Sequence, residues 1–264
     1  MQLFTSSGSA HWYQKDGTPC HSVPYADKKR AGEFRSTTLT DARKMDLLPS
    51  VTTILGVIDK PQLDDWKQTQ AVMSALTLPI KEGEIADEYA KRVVADAQTQ
   101  VGDAALRGTK VHAAIEHFLV FGEIRVDESV RAIFEPFIDW AKKNILDVEF
   151  SEKVMIGNGY AGTCDLKAEI AGFGWSFADF KTRKPYNGKF RGYITDDLQL
   201  SAYQKADLSS RLAPQRLSIF INHEEAGDPV VHPWPIDKND ASFAAFDAAK
   251  SLWQYDKNYN PSES

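Results

Sequence analysis

The chain has 264 residues, of which 42% are hydrophobic and 26% charged, an ordinary balance for a globular protein with one large domain. Its only cysteines, Cys20 and Cys164, exclude a disulfide-rich scaffold and argue against a four-cysteine iron–sulfur cluster. The formal net charge of −6 disfavours attraction to polyanions through overall charge, although a local basic cluster can still attract them.

The sequence contains no candidate membrane segment. No apolar run approaches the roughly 18 residues that a spanning helix needs. The segment Met1–Gly8 lacks the basic and apolar regions of a signal peptide. We therefore expect an intracellular protein with no membrane partner.

The first part of the chain is predicted to consist of an arm followed by helices. Residues 1–48 show little regular pattern and are expected to form an irregular N-terminal arm. Residues 49–145 form the predicted helical part, in which Ser50 is a candidate N-cap. Pro61 then begins a further helix, because proline is tolerated in the first turn.

A long helical stretch over residues 82–121, predicted to break near Gly102 or Gly108, carries two candidate metal ligands. His112 and Glu116 are four residues apart and therefore share one helix face, from which both can reach a common ion. The alternative for His112 is a core histidine whose ring is satisfied by hydrogen bonds within the protein.

Residues 146–264 are predicted to form the sheet core, which carries the catalytic motifs and a closing helix over Asp240–Tyr255. The tail Pro261–Ser264 is expected to be disordered. Glu152 is expected to face outward from the first strand and to be structural. The strand-like segments are 148–156, 160–170, 175–181, 217–222 and 229–234.

A predicted hairpin in this core brings two carboxylates and a cation together. The turn is Ala171–Gly174, since glycine supplies the positive φ of a tight connection. In a hairpin centred on Gly172, residues whose numbers add up to 344 face each other, as Asp165 and Asp179 do. Lys181 shares the strand face of Asp179, because side chains alternate along a strand. Such a group suits a hard divalent cation; the alternative is a surface hairpin with solvated charges.

The residues after the hairpin offer two further candidate groups. A basic cluster is either a solvated loop or a phosphate-binding surface: Lys181, Arg183, Lys184, Lys189 and Arg191. A helix predicted over Asp196–Leu208 then places Gln199 and Tyr203 on one face. As an alternative, Asp196 and Gln199 form a capping box and Tyr203 belongs to the core.

Four short motifs, spread from residue 108 to residue 203, resemble those of one enzyme family. Gly162–Asp165 and Asp179–Lys181 resemble the G-x-x-D and D-x-K motifs of the PD-(D/E)XK nuclease superfamily. Gln199–Tyr203 resembles the Q-x-x-x-Y motif of its RecB-like, phage-type exonuclease branch. Gly108–His112, with Glu116 one turn later, is similar to the upstream histidine motif of that branch.

This resemblance implies a fold and a metal site. The fold is α/β, with a restriction-endonuclease-like mixed central sheet, flanking helices and a helical N-terminal elaboration, in one nuclease domain over residues 1–264. The implied cofactor is Mg²⁺ or Mn²⁺. The implied ligands are Asp165, Asp179, the Phe180 carbonyl and His112, with Glu116 as a further candidate.

The resemblance also implies an activity and partners. It predicts a DNA exonuclease used in phage replication or recombination, in the host cytoplasm, in which Lys181 orients the attacking water and stabilises the charged phosphate. Gln199 and Tyr203 support the site or contact the DNA backbone, and Arg183 and Lys184 bind phosphates. DNA ends or single strands are the expected substrate; a single-strand-annealing or ssDNA-binding protein and an oligomer are possible partners. The alternatives are a structure-specific endonuclease or nickase with the same metal site, and a non-catalytic nucleic-acid-binding module.

Overall fold

Helices flank a mixed five-stranded sheet in the computed structural model, which describes residues 10–209 and 211–261. The helices are Leu39–Met45 (α1), Val51–Ile54 (α2), Pro61–Thr77 (α3), Ala86–Phe121 (α4), Arg131–Asn144 (α5), Ile194–Ala206 (α6) and Asn239–Lys257 (α7). The strands are Trp12–Tyr13 (β1), Ser22–Pro24 (β2), Phe34–Ser36 (β3), Leu48–Pro49 (β4), Ile145–Gly157 (β5), Tyr160–Ile170 (β6), Gly174–Arg183 (β7), Gln215–Asn222 (β8) and Val230–Trp234 (β9). No helix within the described ranges combines the length and apolarity needed to cross a membrane.

The central sheet has the order β5-β6-β7-β8-β9, and only the β7–β8 pair is parallel. The predicted hairpin register is confirmed, since the β6–β7 ladder runs from Leu166 opposite Ala178 to Ile170 opposite Gly174. Gly172 has a φ of 80°, the positive value predicted for this turn. Helix α6 connects β7 to β8, as a parallel pair requires a crossover. The mixed α/β fold with a helix-flanked sheet is thus confirmed.

Two hydrophobic clusters hold the helices onto the sheet. The first cluster joins strand residues such as Phe177 to α6 and α7 through Tyr203, Phe246 and Trp253. The second cluster joins the sheet to α4 and α5, and its members include Val111, Phe134, Phe137, Phe180 and Ile219. The residues of the candidate site therefore lie on elements that are fixed by packing.

The N-terminal segment differs from the prediction of an irregular arm, because residues 10–48 are folded against the main core. Trp12 is 1% exposed, and its ring centroid lies 6.1 Å from that of Trp253. Strand β1 pairs with β4, with Trp12 opposite Pro49. Burial of one large aromatic residue fixes a segment whose local pattern is too short to predict strands. In the predicted tail, Pro261 is buried, contrary to expectation; the rest of the tail (262–264) and residues 1–9 lie outside the described residues.

The helical part agrees with the prediction at its start and differs in its long helix. Ser50 is the N-cap of α2 and accepts a hydrogen bond from the Thr53 backbone N–H at 3.0 Å, as predicted. Helix α4 runs without a break through Gly102 and Gly108, so the predicted interruption is wrong. A glycine costs a helix only about 1 kcal/mol relative to alanine, which the rest of a long packed helix outweighs.

Candidate metal centre

The β6–β7 hairpin brings Asp165 beside the backbone of the neighbouring strand. The Phe180 backbone N–H donates to Asp165 Oδ2 at 2.9 Å, directly beyond the Leu166–Ala178 pair. Asp165 is 9% exposed. Burial raises the pKa of its carboxyl well above the ordinary value, and the nearby Asp179 raises it further. A buried carboxylate in this setting is stabilised by a cation.

Asp179 belongs to a hydrogen-bonded group that includes the predicted lysine and glutamine. Asp179 Oδ2 lies 2.6 Å from Lys181 Nζ. Gln199 donates from Nε2 to Asp179 Oδ1 at 3.1 Å and accepts from Lys181 Nζ at 3.1 Å. Burial pulls the pKa of Lys181 down, but the carboxylates of Asp179 and Asp196 outweigh it and hold the pKa above the ordinary value. Lys181 is therefore held as a fixed ammonium group.

The capping-box alternative for Gln199 is wrong. Helix α6 begins at Ile194, and Asp196 accepts from the Tyr193 backbone N–H at 2.9 Å, so the cap is formed before Gln199. Gln199 also donates to the Tyr203 hydroxyl at 3.3 Å. It therefore links Tyr203 to the Asp179–Lys181 pair from within the helix.

Tyr203 supports the site from the interior. Its side chain is only 2% exposed, and burial raises its pKa well above the ordinary value. A Cβ atom at Gly162 would lie 2.9 Å from Tyr203 Cε1, closer than real contacts allow. The glycine of the G-x-x-D motif thus makes room for the tyrosine. This position favours the predicted supporting role of Tyr203 over contact with DNA.

His112 reaches the site from α4, which packs against the sheet. Its Nδ1 lies 3.7 Å from Asp165 Oδ2. Burial lowers the pKa of the imidazole, against the opposing effect of Asp179, so the ring is a neutral potential ligand near pH 7. A Cβ at Gly108, one turn earlier, would lie 2.8 Å from Thr182 Oγ1. The glycine therefore permits the close approach of α4 to β7.

Glu152 is a site residue that the sequence argument missed, and its predicted outward orientation is wrong. Its ligand oxygen, that of Asp165 and a nitrogen of His112 all lie within 4.8 Å of one another. Glu152 has a φ of 50°, which is uncommon for a residue other than glycine, and the β5–β6 ladder keeps its register on both sides of it. Burial raises the pKa of Glu152 to about 7, with further contributions from Glu116 and Asp179.

A signal for Glu152 was present in the sequence. Strands β5 and β6 are joined by the dipeptide Asn158-Gly159, the strongest short hairpin signal. Gly157 pairs with Tyr160 across this turn, and Lys153 pairs with Cys164. Residues that face each other across this turn have numbers that add up to 317, as Gly157 and Tyr160 do. The same counting places Glu152 opposite Asp165.

The other predicted site residues, Glu116, Arg183 and Lys184, lie outside the group of three converging ligands. Glu116 is exposed, and it is close enough to raise the pKa of Glu152 without joining the three converging ligands. Arg183 binds Asp196 through two hydrogen bonds of 2.7 Å, which commits its guanidinium group within the protein. Lys184 pairs with Glu224 at 2.9 Å and its side chain is 63% exposed. The phosphate-binding role predicted for Arg183 is thus less well supported than that of Lys184.

Comparison with known proteins identifies no relative: no protein-family model matches the chain, and no curated protein matches it significantly. The chemistry of the site must therefore be inferred from its residues. Two carboxylates and a neutral imidazole converge, with further carboxylates nearby and one ammonium group. This group could hold a metal ion, and its oxygen-rich donor set fits a divalent cation.

Proposed function

We propose that this protein is a Mg²⁺- or Mn²⁺-dependent DNA exonuclease with a restriction-endonuclease-like sheet, acting in DNA replication or recombination. One observation carries the proposal: the convergence of His112, Glu152 and Asp165 beside the Asp179–Lys181 pair. The four family-like motifs fall on residues of this one cluster, although they are spread over the chain. A surface hairpin with solvated charges would not bury Asp165 and Asp179 to 9% and 2% exposure.

His112, Glu152 and Asp165 would hold the metal, with Asp179 and the Phe180 carbonyl as neighbouring oxygen donors. When bound, the ion supplies Lewis acidity to the phosphate and lowers the pKa of a water molecule. Carboxylate and carbonyl oxygens suit Mg²⁺, whereas the imidazole of His112 adds a donor that transition metals prefer. We therefore expect Mn²⁺ to bind at least as tightly as Mg²⁺.

The residues around Lys181 organise the hydrolysis. Water attacks the phosphorus atom, the bond from phosphorus to the leaving oxygen breaks, and the leaving oxygen gains a proton. Lys181, held between Asp179 and Gln199, donates hydrogen bonds to the water or to the phosphate oxygens as negative charge grows. Gln199 and Tyr203 keep its side chain in place, so that little reorganisation is needed during the reaction.

A nuclease assay with matched variants tests the proposal. Wild type, Lys181→Ala and Asp165→Asn are compared on linear and circular DNA with Mg²⁺, Mn²⁺ or EDTA; Lys142→Ala, an exposed lysine on α5, serves as the control. We expect metal-dependent loss of linear DNA that falls by about 10²- to 10³-fold in both site variants and is unchanged in the control. Cleavage of circular DNA would favour the endonuclease alternative. Absence of cleavage, or equal cleavage by all variants, would refute the proposal.

A further inference from the structure

A cleft of about 700 Å³ opens beside the metal centre and is separate from its three ligands. One wall is formed by the start of α3 and the residues before it, including Lys60 and Leu63. The other wall is formed by the start of α6, including Tyr193 and Ile194. Lys181 also lines the cleft, so an occupant would contact the proposed reaction centre.

The cleft contains one cation whose charge is not matched by a carboxylate. Lys181 pairs with Asp179, and Arg183 pairs with Asp196. Lys60 has no ion pair within the described part of the chain, although Asp59 also lines the cleft. Burial lowers the pKa of Lys60 and the positive charge of Lys181 lowers it further, whereas Asp196, whose carboxylate binds Arg183, opposes both effects. An anion in the cleft would stabilise the charged form of Lys60 against both lowering effects.

The walls also offer apolar surface to a flat ligand. Tyr193 is 37% exposed, Leu63 is 40% exposed and Ile194 is 61% exposed, although all three line a concave surface. Arg183 lies 4.2 Å from the centroid of the Tyr193 ring and fixes one of its faces. Aromatic side chains beside a cation are the usual platform for an unpaired base.

The volume of the cleft bears on whether it accommodates one DNA strand or a duplex. Clefts of roughly 300–1,000 Å³ accommodate a small-molecule-sized ligand, which corresponds to on the order of one or two nucleotides. A duplex is too wide for this space. The volume therefore favours a single strand as the occupant.

We propose that this cleft holds the unpaired end of one DNA strand, with Lys60 bound to a backbone phosphate and Tyr193 stacked on a base. This inference rests on the proposed nuclease function and specifies its substrate as single-stranded ends. A blunt duplex then has to separate its terminal base pairs before it can enter. Lys60 and Tyr193 are accordingly the residues that contribute affinity for the single strand.

Binding measured in EDTA tests this assignment without hydrolysis. Fluorescence anisotropy gives the Kd of a labelled eight-nucleotide oligo(dT) and of a labelled blunt duplex, at several salt concentrations. The single strand should bind at least about 10-fold more tightly than the duplex. Lys60→Ala should lower the slope of log K against log salt by about 0.7, as expected when one phosphate contact to a single strand is lost. Lys60→Arg should retain that slope.

Two further variants separate the stacking contribution of Tyr193 from the charge contribution of Lys60. Tyr193→Ala should weaken single-strand binding by about 5-fold or more and leave the salt slope unchanged, because stacking carries no charge. Lys142→Ala should behave as wild type. Equal affinity for single strand and duplex, or a Lys60→Ala variant indistinguishable from Lys142→Ala, would overturn the inference. If binding follows these expectations and no metal-dependent cleavage is found, the nuclease proposal fails and the cleft assignment stands. If metal-dependent cleavage is found and binding does not follow these expectations, the cleft assignment fails and the nuclease proposal stands.

Discussion

Glu152 shows how one residue changes the description of the site. Its carboxylate replaces Asp179 as the donor closest to His112 and Asp165, since Asp179 pairs with Lys181. We predict that Glu152→Gln lowers Mn²⁺ affinity by at least about 10-fold, because even residues that only support metal ligands can cost 10- to 100-fold. Calorimetric titration with MnCl₂ measures this change. Glu169→Gln on β6 is the matched control, and an unchanged affinity in Glu152→Gln would contradict the role of Glu152.

At the residue scale, the sequence predicted the side-chain positions that a short turn fixes. The register that carries Asp165 and Asp179 was predicted correctly, because the turn at Gly172 sets the ladder that ends at the adjoining Leu166–Ala178 pair. Arg183 was expected to bind phosphate, whereas it binds Asp196 at 2.7 Å. A run of basic residues indicates charge, but it does not reveal which partner the fold supplies. Glu152 was missed because its place follows from a second turn, Asn158–Gly159, and not from the Gly172 turn that pairs the aspartates.

At the element scale, the glycines of α4 make a testable pair. Nothing lies within 4 Å of a Cβ added at Gly102, whereas a Cβ at Gly108 would lie 2.8 Å from Thr182 Oγ1. We predict that Gly102→Ala raises the free energy of unfolding by up to about 1 kcal/mol. Gly108→Ala should lose that gain and displace His112, lowering nuclease activity by about 10- to 100-fold, as shifts near 1 Å can do.

Denaturant unfolding and the nuclease assay measure both glycine variants. Thr182 has restricted χ1 freedom because it is β-branched, so it cannot easily turn away from a new methyl group. Adding Thr182→Ala to Gly108→Ala should therefore restore most of the activity. A Gly108→Ala variant that is as stable and active as Gly102→Ala would show that the contact is unimportant.

The connection between α3 and α4 carries a pH-sensitive ion pair. Glu84 accepts hydrogen bonds from Arg92 Nε at 2.9 Å and from the Lys81 backbone N–H at 3.0 Å. These bonds, those of Arg92 first, lower the pKa of Glu84 from 4.5 to about 2. Because the folded pKa is the lower one, the stabilisation is fully present above pH 4.5 and is lost as the pH falls towards 2.

We therefore predict a pH-dependent effect of Glu84→Gln on the melting temperature. The variant should melt below wild type at pH 7, and the difference should shrink as the pH falls from 4.5 to 3. Glu82→Gln, three residues before Ile85 in the same connection, is the control and should show no such trend. A difference that stays constant over this range would contradict an ionic contribution from Glu84.

At the scale of the whole molecule, the strands and the β6–β7 hairpin were predictable, whereas the pairing of β8 with β7 was not. All five segments expected to be strands are found in the central sheet. The parallel pairing of β8 with β7 depends on how α6 packs, through contacts between residues far apart in sequence. The burial of Trp12 against Trp253 and Tyr259 is also long-range, so no local pattern predicts it. Family-like motifs indicated the site, while tertiary packing decided which side chains form it.

The central claim is that His112, Glu152 and Asp165 together bind a divalent metal ion. Crystals soaked in MnCl₂ and measured with anomalous scattering test it most directly, because the anomalous signal locates manganese without assumptions about the ligands. We predict one strong peak at about 2.0–2.3 Å from an atom of each of the three residues, typical of oxygen and nitrogen ligands to such ions. A peak only elsewhere, or none at saturating Mn²⁺, would contradict the account.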